Sequence, residues 1–342
     1  MPRLADSSDV PLVSTIVTFH NQGRFVRETL ESALAQDYPR HEVIAVDDGS
    51  TDDTPEACRA FGDRIRYLRQ PNAGVSAARN AGGRIAAGAY LAFLDGDDLW
   101  SSGKISRQVD AALRHPESGL IVSDGVKFGE AGVLARTLYR GTVRRRIQQS
   151  AVPELTLRCH EILIDGNAIQ TPSQVLVPAA VFVRLGPWDE RIRVSSDYEL
   201  YLRVAGAGES FTFLHDRLTW YRSVATSLSG PEERRGFVWG LDTFLVMRAH
   251  WARTGVVQRR RIARRLNELT HQLAQDAYYR GRRIERDWAR RYLLRLATRS
   301  RRPHLVAPYL AALWVPPRLV DEAARLLHRA GRASPARPRP LG

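Results

Sequence analysis

The first two thirds of the chain repeat one hydrophobic pattern: a short apolar run, a polar cluster, then an amphipathic stretch. Val13–Phe19 (VSTIVTF) is rich in β-branched residues and predicts a buried strand, which ends in His20, Asn21, Gln22 and Gly23. Phe25, Val26, Leu30, Ala33 and Leu34 then fall at helical spacing, and Tyr38-Pro39 stops that helix. The unit recurs. Residues 42–46 predict a second strand that runs into Asp47-Asp48-Gly49-Ser50, with a short helix over 52–61. A weak third strand is expected at 65–68, a helix at 73–87, a fourth strand at 90–94, a helix at 104–113 and a fifth strand at 120–123.

Alternating strands and helices predict an α/β fold with right-handed crossovers and a mainly parallel sheet. In such sheets ligands bind beyond the C-terminal ends of the strands. The clusters His20-Asn21, Asp47-Asp48 and Asp95-Gly96-Asp97-Asp98 each follow an apolar run, so this topology brings them to one edge. The pattern blurs over 125–166, where a strand near 133–139 is the only element suggested. It returns with a strand at 173–177 leading into 179–185, a break at Gly186-Pro187, a helix over 195–205, and two strands at 210–214 and 218–222.

Three carboxylates within four residues, Asp95, Asp97 and Asp98, need positive charge to answer them. A hard divalent cation such as Mg²⁺ or Mn²⁺ suits them, since it takes one or two protein carboxylates and shares its other positions with water and phosphates. A plain Asp-Gly turn is the structural alternative. Asp48 has its own alternative in turn chemistry, and Arg79 in a solvated helix face. At 196–199, Ser-Asp-Tyr-Glu spells a capping box. Asp197 then lies in a first helical turn, with Leu200, Tyr201 and Val204 directing that face inward.

Taken in order, VSTIVTFHN (13–21), VDDGSTDDT (46–54), NAGVSAARN (72–80), FLDGDDLW (93–100), GPWDE (186–190) and SDYELYLR (196–203) resemble glycosyltransferase family 2, the inverting nucleotide-sugar transferases of GT-A fold. The match covers roughly residues 11–229. The resemblance implies a Rossmann-like sheet flanked by helices, a nucleotide-sugar donor, and a glycan or lipid-linked acceptor. It implies nucleotide-side roles for Thr18, His20, Asp48 and Arg79, a place near the ribose or sugar for Asp95, and metal binding by Asp97 of an Asp-x-Asp motif. Gly96 is expected to let the backbone approach the nucleotide, and Asp98 to cap the following segment. Asp197 matches the acid that deprotonates the acceptor. Two departures stand out: Ser196 where the family often has glutamate, and Val224 where many relatives carry histidine. Trp188 reads equally as a sugar platform or a core residue.

Composition refines this picture. With 342 residues and 44% hydrophobic content the chain can build a sizeable core. The net charge of +14 is uneven: from Gly230 there are 25 arginines against nine acids, whereas residues 1–229 hold 26 basic residues against 28 acids. We expect a catalytic domain at 1–229, an Arg-rich helical region at 230–330 and a disordered tail at 331–342. Ile262, Leu266, Leu269 and Leu273 mark one helix face behind an arginine cluster, which fits a bundle with solvated arginines or peripheral contact with a membrane. Two distant cysteines and no signal-like or membrane-spanning run point to a cytoplasmic setting, at or near the inner membrane face. The competing class is a nucleic-acid- or membrane-binding protein with a degenerate nucleotide pocket. Nucleic acid is disfavoured, because the acidic motifs lie outside the basic third.

Overall fold

The computed structural model describes residues 10–192 and 194–224, and beyond them residues 243, 245–247, 249–250, 254–255, 258–266, 268–269, 294 and 307. In chain order the elements are β1 (Val13–Phe19), α1 (Gly23–Leu34), β2 (His41–Asp48), α2 (Thr54–Arg59), β3 (Arg66–Gln70), α3 (Val75–Ile85), β4 (Tyr90–Asp95), β5 (Leu99–Trp100) and α4 (Lys104–Arg114). Then follow β6 (Ser118–Gly129), β7 (Gly132–Ala135), α5 (Gly141–Gln149), β8 (Glu154–Arg158), α6 (His160–Asp165), β9 (Val175–Pro178), α7 (Ala179–Leu185), α8 (Ser196–Gly206) and β10 (Ser210–Arg222).

Ten strands form one mixed sheet, ordered β3-β2-β1-β4-β9-β6-β10-β5, with β7 on β6 and β8 on β10. The first four strands are parallel, as the alternating pattern predicts, since each is joined to the next through a helix. The expected parallel order gives way at β9, which runs antiparallel to both β4 and β6. It is entered from α6 through a turn at 171–174. The two strands expected near 210–222 are one strand, and its pairing with β6 shifts register between Phe213, Arg217 and Thr219. The polar His215-Asp216-Arg217 occupies that irregularity, which is why the apolar pattern reads as two pieces.

All seven residues of β1 are buried, which requires cover on both faces of the sheet. One face receives α1, whose Val26, Leu30 and Ala33 join the core with Ile105 and Val109 of α4. The other receives α3, whose small residues permit close approach. A Cβ at Gly82 would lie 2.5 Å from Ile16 Cγ2, so a larger residue there would push the helix off β1. That approach brings Arg79, one turn earlier, against the C-terminal edge of the sheet.

The region without a legible pattern, 125–166, contains β7, α5, β8 and α6. Cys58 and Cys159 are buried free thiols. The chain divides into two compact units, residues 1–262 and 263–342. Where the Arg-rich helix is described, Ile262, Leu266 and Leu269 are buried and Arg259, Arg260 and Arg264 exposed, in keeping with the periodicity. Leu273, most of 230–330 and the tail lie outside the described residues. Among the described residues no helix is long and apolar enough to cross a membrane.

Candidate active site

Three parallel strands deliver their polar ends to one edge. β1 stops at Phe19, β2 at Asp48 and β4 at Asp95, with Thr18 in register with Asp95. The two acids that end β2 divide their work. Asp47 supplies the turn chemistry, accepting from Ser50 N at 2.8 Å and from the Tyr67 hydroxyl at 2.9 Å. Asp48, nearly buried, instead accepts from Gln70 Nε2 (2.7 Å) and from the amides of Ala73 (2.9 Å) and Gly74 (2.8 Å). It therefore fixes the loop that opens α3. His20 is exposed at the same edge, donating from Nδ1 to the Asp48 carbonyl at 2.9 Å and accepting from Asn72 Nδ2 at 3.1 Å. Thr18 is buried beside it.

Arg79 is 5% exposed, so the reading as a solvated helix arginine does not hold. Its Nη2 meets Asp95 Oδ1 at 2.5 Å and its guanidinium lies 4.6 Å from the centre of the Trp188 ring. Trp188 itself is 2% exposed and packs edge-on to Phe93. It is a core residue beneath the site and not a sugar platform.

The three acids after β4 differ sharply. Asp95 has both carboxylate oxygens engaged, by Arg79 and by Thr171 Oγ1 at 3.1 Å. Asp98 is fully buried and accepts from Ser173 Oγ (2.7 Å), Thr171 Oγ1 (3.2 Å) and the Arg222 amide (2.9 Å). Asp98 thus ties β4 to β10 and to the turn before β9, where capping of the following segment was expected. Asp97 remains partly accessible, and its carboxyl is pushed up to about 6 by burial and by the charge of Asp95, with Arg222 and Arg24 opposing. The role expected for Gly96 also changes: a Cβ there would meet Phe19 Cδ1 at 2.4 Å, Gln22 Oε1 at 2.5 Å and Thr18 O at 2.6 Å. The missing side chain lets the acidic loop lie against the end of β1.

Asp197 comes from a separate element. The segment before α8 docks on α3 through Asn80, whose Nδ2 donates to the Trp188 carbonyl (3.0 Å) and whose Oδ1 accepts the Trp188 amide (2.9 Å). This brings the first turn of α8 within electrostatic reach of Arg79 and Asp95. Burial raises the Asp197 carboxyl to about 6, Asp95 adds to the shift, and the Tyr198 amide and Arg79 oppose it. The expected capping box at 196–199 does not form: Ser195 is the N-cap and makes no side-chain cap bond. Glu199 turns instead to Arg203 at 2.8 Å, and that guanidinium also donates to the carbonyls of Gly186 and Pro187.

Sequence reasoning missed Thr171 and Ser173, which touch Asp95 and Asp98, and Tyr201, whose buried hydroxyl lacks a hydrogen-bond partner among the described residues and feels the charge of Asp197. It missed Arg222 too, whose Nε donates to the Asp97 carbonyl at 2.8 Å. A signal for the first pair existed: Thr-Pro-Ser-Gln at 171–174 is a capping box with proline at its first position, and here both reciprocal bonds form.

The description Glycosyl transferase family 2 matches residues 14–161, the stretch that carries His20, Asp48, Arg79 and the three acids. Over that stretch the chain is similar to glycosyltransferase family 2. An uncharacterised glycosyltransferase of Rickettsia prowazekii is 30% identical over 193 residues, covering 56% of this chain and 58% of that protein. The chain therefore spans less than two thirds of that relative. The putative teichuronic acid biosynthesis glycosyltransferase TuaG of Bacillus subtilis is 27% identical over 257 residues, covering 70% of this chain and 92% of TuaG. Among solved structures, S. aureus TarS 1–349 in complex with UDP superposes with a TM-score of 0.61 at 16% identity, covering 92% and 91% of the two chains. The expected GT-A fold is thereby borne out.

Family 2 members often use a divalent metal, and the acids here can be tested against that need. Among the described residues no group of three or more His, Cys, Asp and Glu encloses an ion, and Val224 offers no imidazole. A closed protein cage is not required for Mg²⁺ or Mn²⁺, which share their shell with phosphate and water. Asp97, raised in pKa by burial and by the neighbouring Asp95 and left without a hydrogen-bond donor from any other described side chain, fits as the single carboxylate of such a shell.

Proposed function

We propose that this chain moves a sugar from a nucleoside-diphosphate sugar to an acceptor hydroxyl with inversion at C1, in the synthesis of a cell-surface polysaccharide or glycolipid. Residues 1–229 carry the chemistry. The supporting observation is the meeting of two elements: the first turn of α8, bearing Asp197, stands beside the Arg79–Asp95 pair at the end of β4. A base and a leaving-group site on separate elements leave room between them for C1, as direct displacement requires.

Asp48, His20 and Thr18 line the nucleotide end, where the carboxylate that orders the α3 loop can also accept from base or ribose. Arg79 holds Asp95 toward the ribose or sugar. Asp97 is the residue for Mg²⁺ or Mn²⁺, which when bound supplies charge neutralisation to the departing diphosphate. Asp197 takes the proton from the acceptor hydroxyl as its oxygen bonds to C1. The C1–O bond to phosphate breaks on the opposite face, and its electron pair leaves with the diphosphate. UDP and UDP-GlcNAc occur in the TarS structures, which makes uridine nucleotides the first donors to try. The name of TuaG supports an extracellular glycan as the product, and a protein working there from the cytoplasmic side suits a lipid-linked acceptor at the membrane face.

Asp197→Asn tests the assignment: transfer is lost and UDP binding, followed by thermal shift with and without Mn²⁺, is kept. Full turnover in that variant would sink the base. Strongly salt-dependent binding to DNA or RNA, with no nucleoside diphosphate released from any sugar nucleotide, would favour the degenerate-pocket class instead.

A further inference from the structure

The three acids after β4 draw on a fixed number of hydroxyl protons, and counting them separates their roles. Ser173 Oγ accepts the Asp95 amide at 3.0 Å, so its one proton goes to Asp98 Oδ2 at 2.7 Å. Thr171 Oγ1 accepts the Ser173 amide at 3.2 Å, and its proton is left to choose among Asp95 Oδ2 at 3.1 Å, Asp98 Oδ2 at 3.2 Å and Ser173 Oγ at 3.2 Å. Asp98 is already served by Ser173 and by the Arg222 amide, and Ser173 Oγ by the Asp95 amide, so the Thr171 proton belongs to Asp95, the nearest of the three acceptors. Asp97 receives neither.

We propose that Thr171 and Ser173 are positioning residues for the cation site: they pin Asp95 and Asp98 to the protein so that Asp97 alone is presented to a divalent cation. The inference rests on the reading of Asp97 given above. The turn is stiff enough for the task. Both hydroxyls are buried, Pro172 fixes the backbone between them, and the Ser173 carbonyl is held by Trp100 Nε1 at 2.8 Å and Thr219 Oγ1 at 3.1 Å. Losing the Thr171 hydroxyl therefore cannot be made good by a small shift of the chain. Asp95 keeps only the Arg79 bond, gains freedom to rotate toward Asp97, and the cation then meets two competing carboxylates in unfixed geometry. Partners of this kind, one bond removed from a metal, are commonly worth about 10- to 100-fold in affinity.

The test is direct Mn²⁺ binding, measured by electron paramagnetic resonance of free Mn²⁺ titrated with the full chain and UDP. Thr171→Val should raise the Mn²⁺ dissociation constant about 10- to 100-fold. Thr171→Ser, which restores the hydroxyl, should stay within about threefold of the parent. In turnover assays the valine change should appear in the KM for Mn²⁺ more than in kcat at saturating metal. Parent-like Mn²⁺ binding by folded Thr171→Val, or a loss in Thr171→Ser equal to that in Thr171→Val, overturns the proposal. If the valine variant does not fold, Ser173→Ala takes its place, and unchanged affinity there overturns the proposal as well. Asp97→Asn separates the two layers: if it binds Mn²⁺ like the parent, the reading of Asp97 fails; if it loses binding while Thr171→Val does not, only the positioning role fails.

Discussion

Arg79 Nη2 and Asp95 Oδ1 lie 2.5 Å apart with the arginine 5% exposed, so the link between α3 and the end of β4 is an ion pair largely withdrawn from water. Such a pair adds little over an apolar contact, yet losing one partner strands the other charge. Arg79→Met should destabilise the fold by about 3 kcal/mol, read from urea unfolding, and Asp95→Asn should do so as well. A change under about 1 kcal/mol in both variants would mean that water already screens the pair as at a surface.

Asp197 sets stability against chemistry. Its carboxyl is raised by burial from 3.8 to about 6, so between those values the folded chain holds a proton that the unfolded chain has released. Stability therefore falls as pH rises from 4 to 6, by up to about 3 kcal/mol. Asp197→Asn should be more stable than the parent at pH 7.5, the advantage vanishing near pH 4, in thermal melts across that range. If Asp197 is the base proposed above, the same proton governs turnover. A base must be ionised, so kcat/KM should drop about tenfold per unit below pH 6. A flat profile from pH 5 to pH 7 would argue against Asp197 as the base.

The strand ends were readable in the sequence because β-branched runs such as VSTIVTF stop abruptly at polar groups, and this alone brings Asp48 and Asp95 to one edge. What escaped was what depends on partners distant in sequence. Ser-Asp-Tyr-Glu at 196–199 and Thr-Pro-Ser-Gln at 171–174 carry the same capping signature. Only the second forms the box, because Arg203, one turn further along α8, takes Glu199 away. The direction of β9 was hidden for a related reason. A four-residue apolar strand reads alike in both directions, and the turn that reverses it is held by Asp98 and Trp100, more than 70 residues earlier.

Gly96 carries a prediction about shape. Any Cβ there meets the Thr18 carbonyl at 2.6 Å, and a carbonyl within β1 cannot move aside as a flexible side chain could. Gly96→Ala should push the acidic loop away from the sheet edge, cost about 1 to 3 kcal/mol and weaken UDP binding in the presence of Mn²⁺. Calorimetric titration with UDP checks it. Unchanged affinity together with unchanged stability would show that the loop has room which the structure denies it.

Lys104 offers the opposite case, a charge the fold would be better without. Its side chain is fully buried, with Nζ 2.6 Å from Gln108 Oε1 and 3.9 Å from the centre of the Trp100 ring. Burial pulls its pKa well below the ordinary lysine value, and the amine presents N–H groups to Gln108 and to the ring. Between that lowered value and roughly pH 10.4 the unfolded chain holds this proton more readily than the folded chain, and stability is lost as pH falls. Lys104→Met keeps the length of the stem without that cost, although Gln108 Oε1 loses its donor at about 1 kcal/mol. The variant should gain about 1 to 4 kcal/mol at pH 7, the range seen when apolar residues replace buried charged groups, and the gain should shrink toward pH 10. Urea unfolding at pH 7 and pH 10 decides it. A loss of stability at both values would mean that the bond to Gln108, which donates to the carbonyls of Ile121 and Gln174, outweighs the cost of the buried amine.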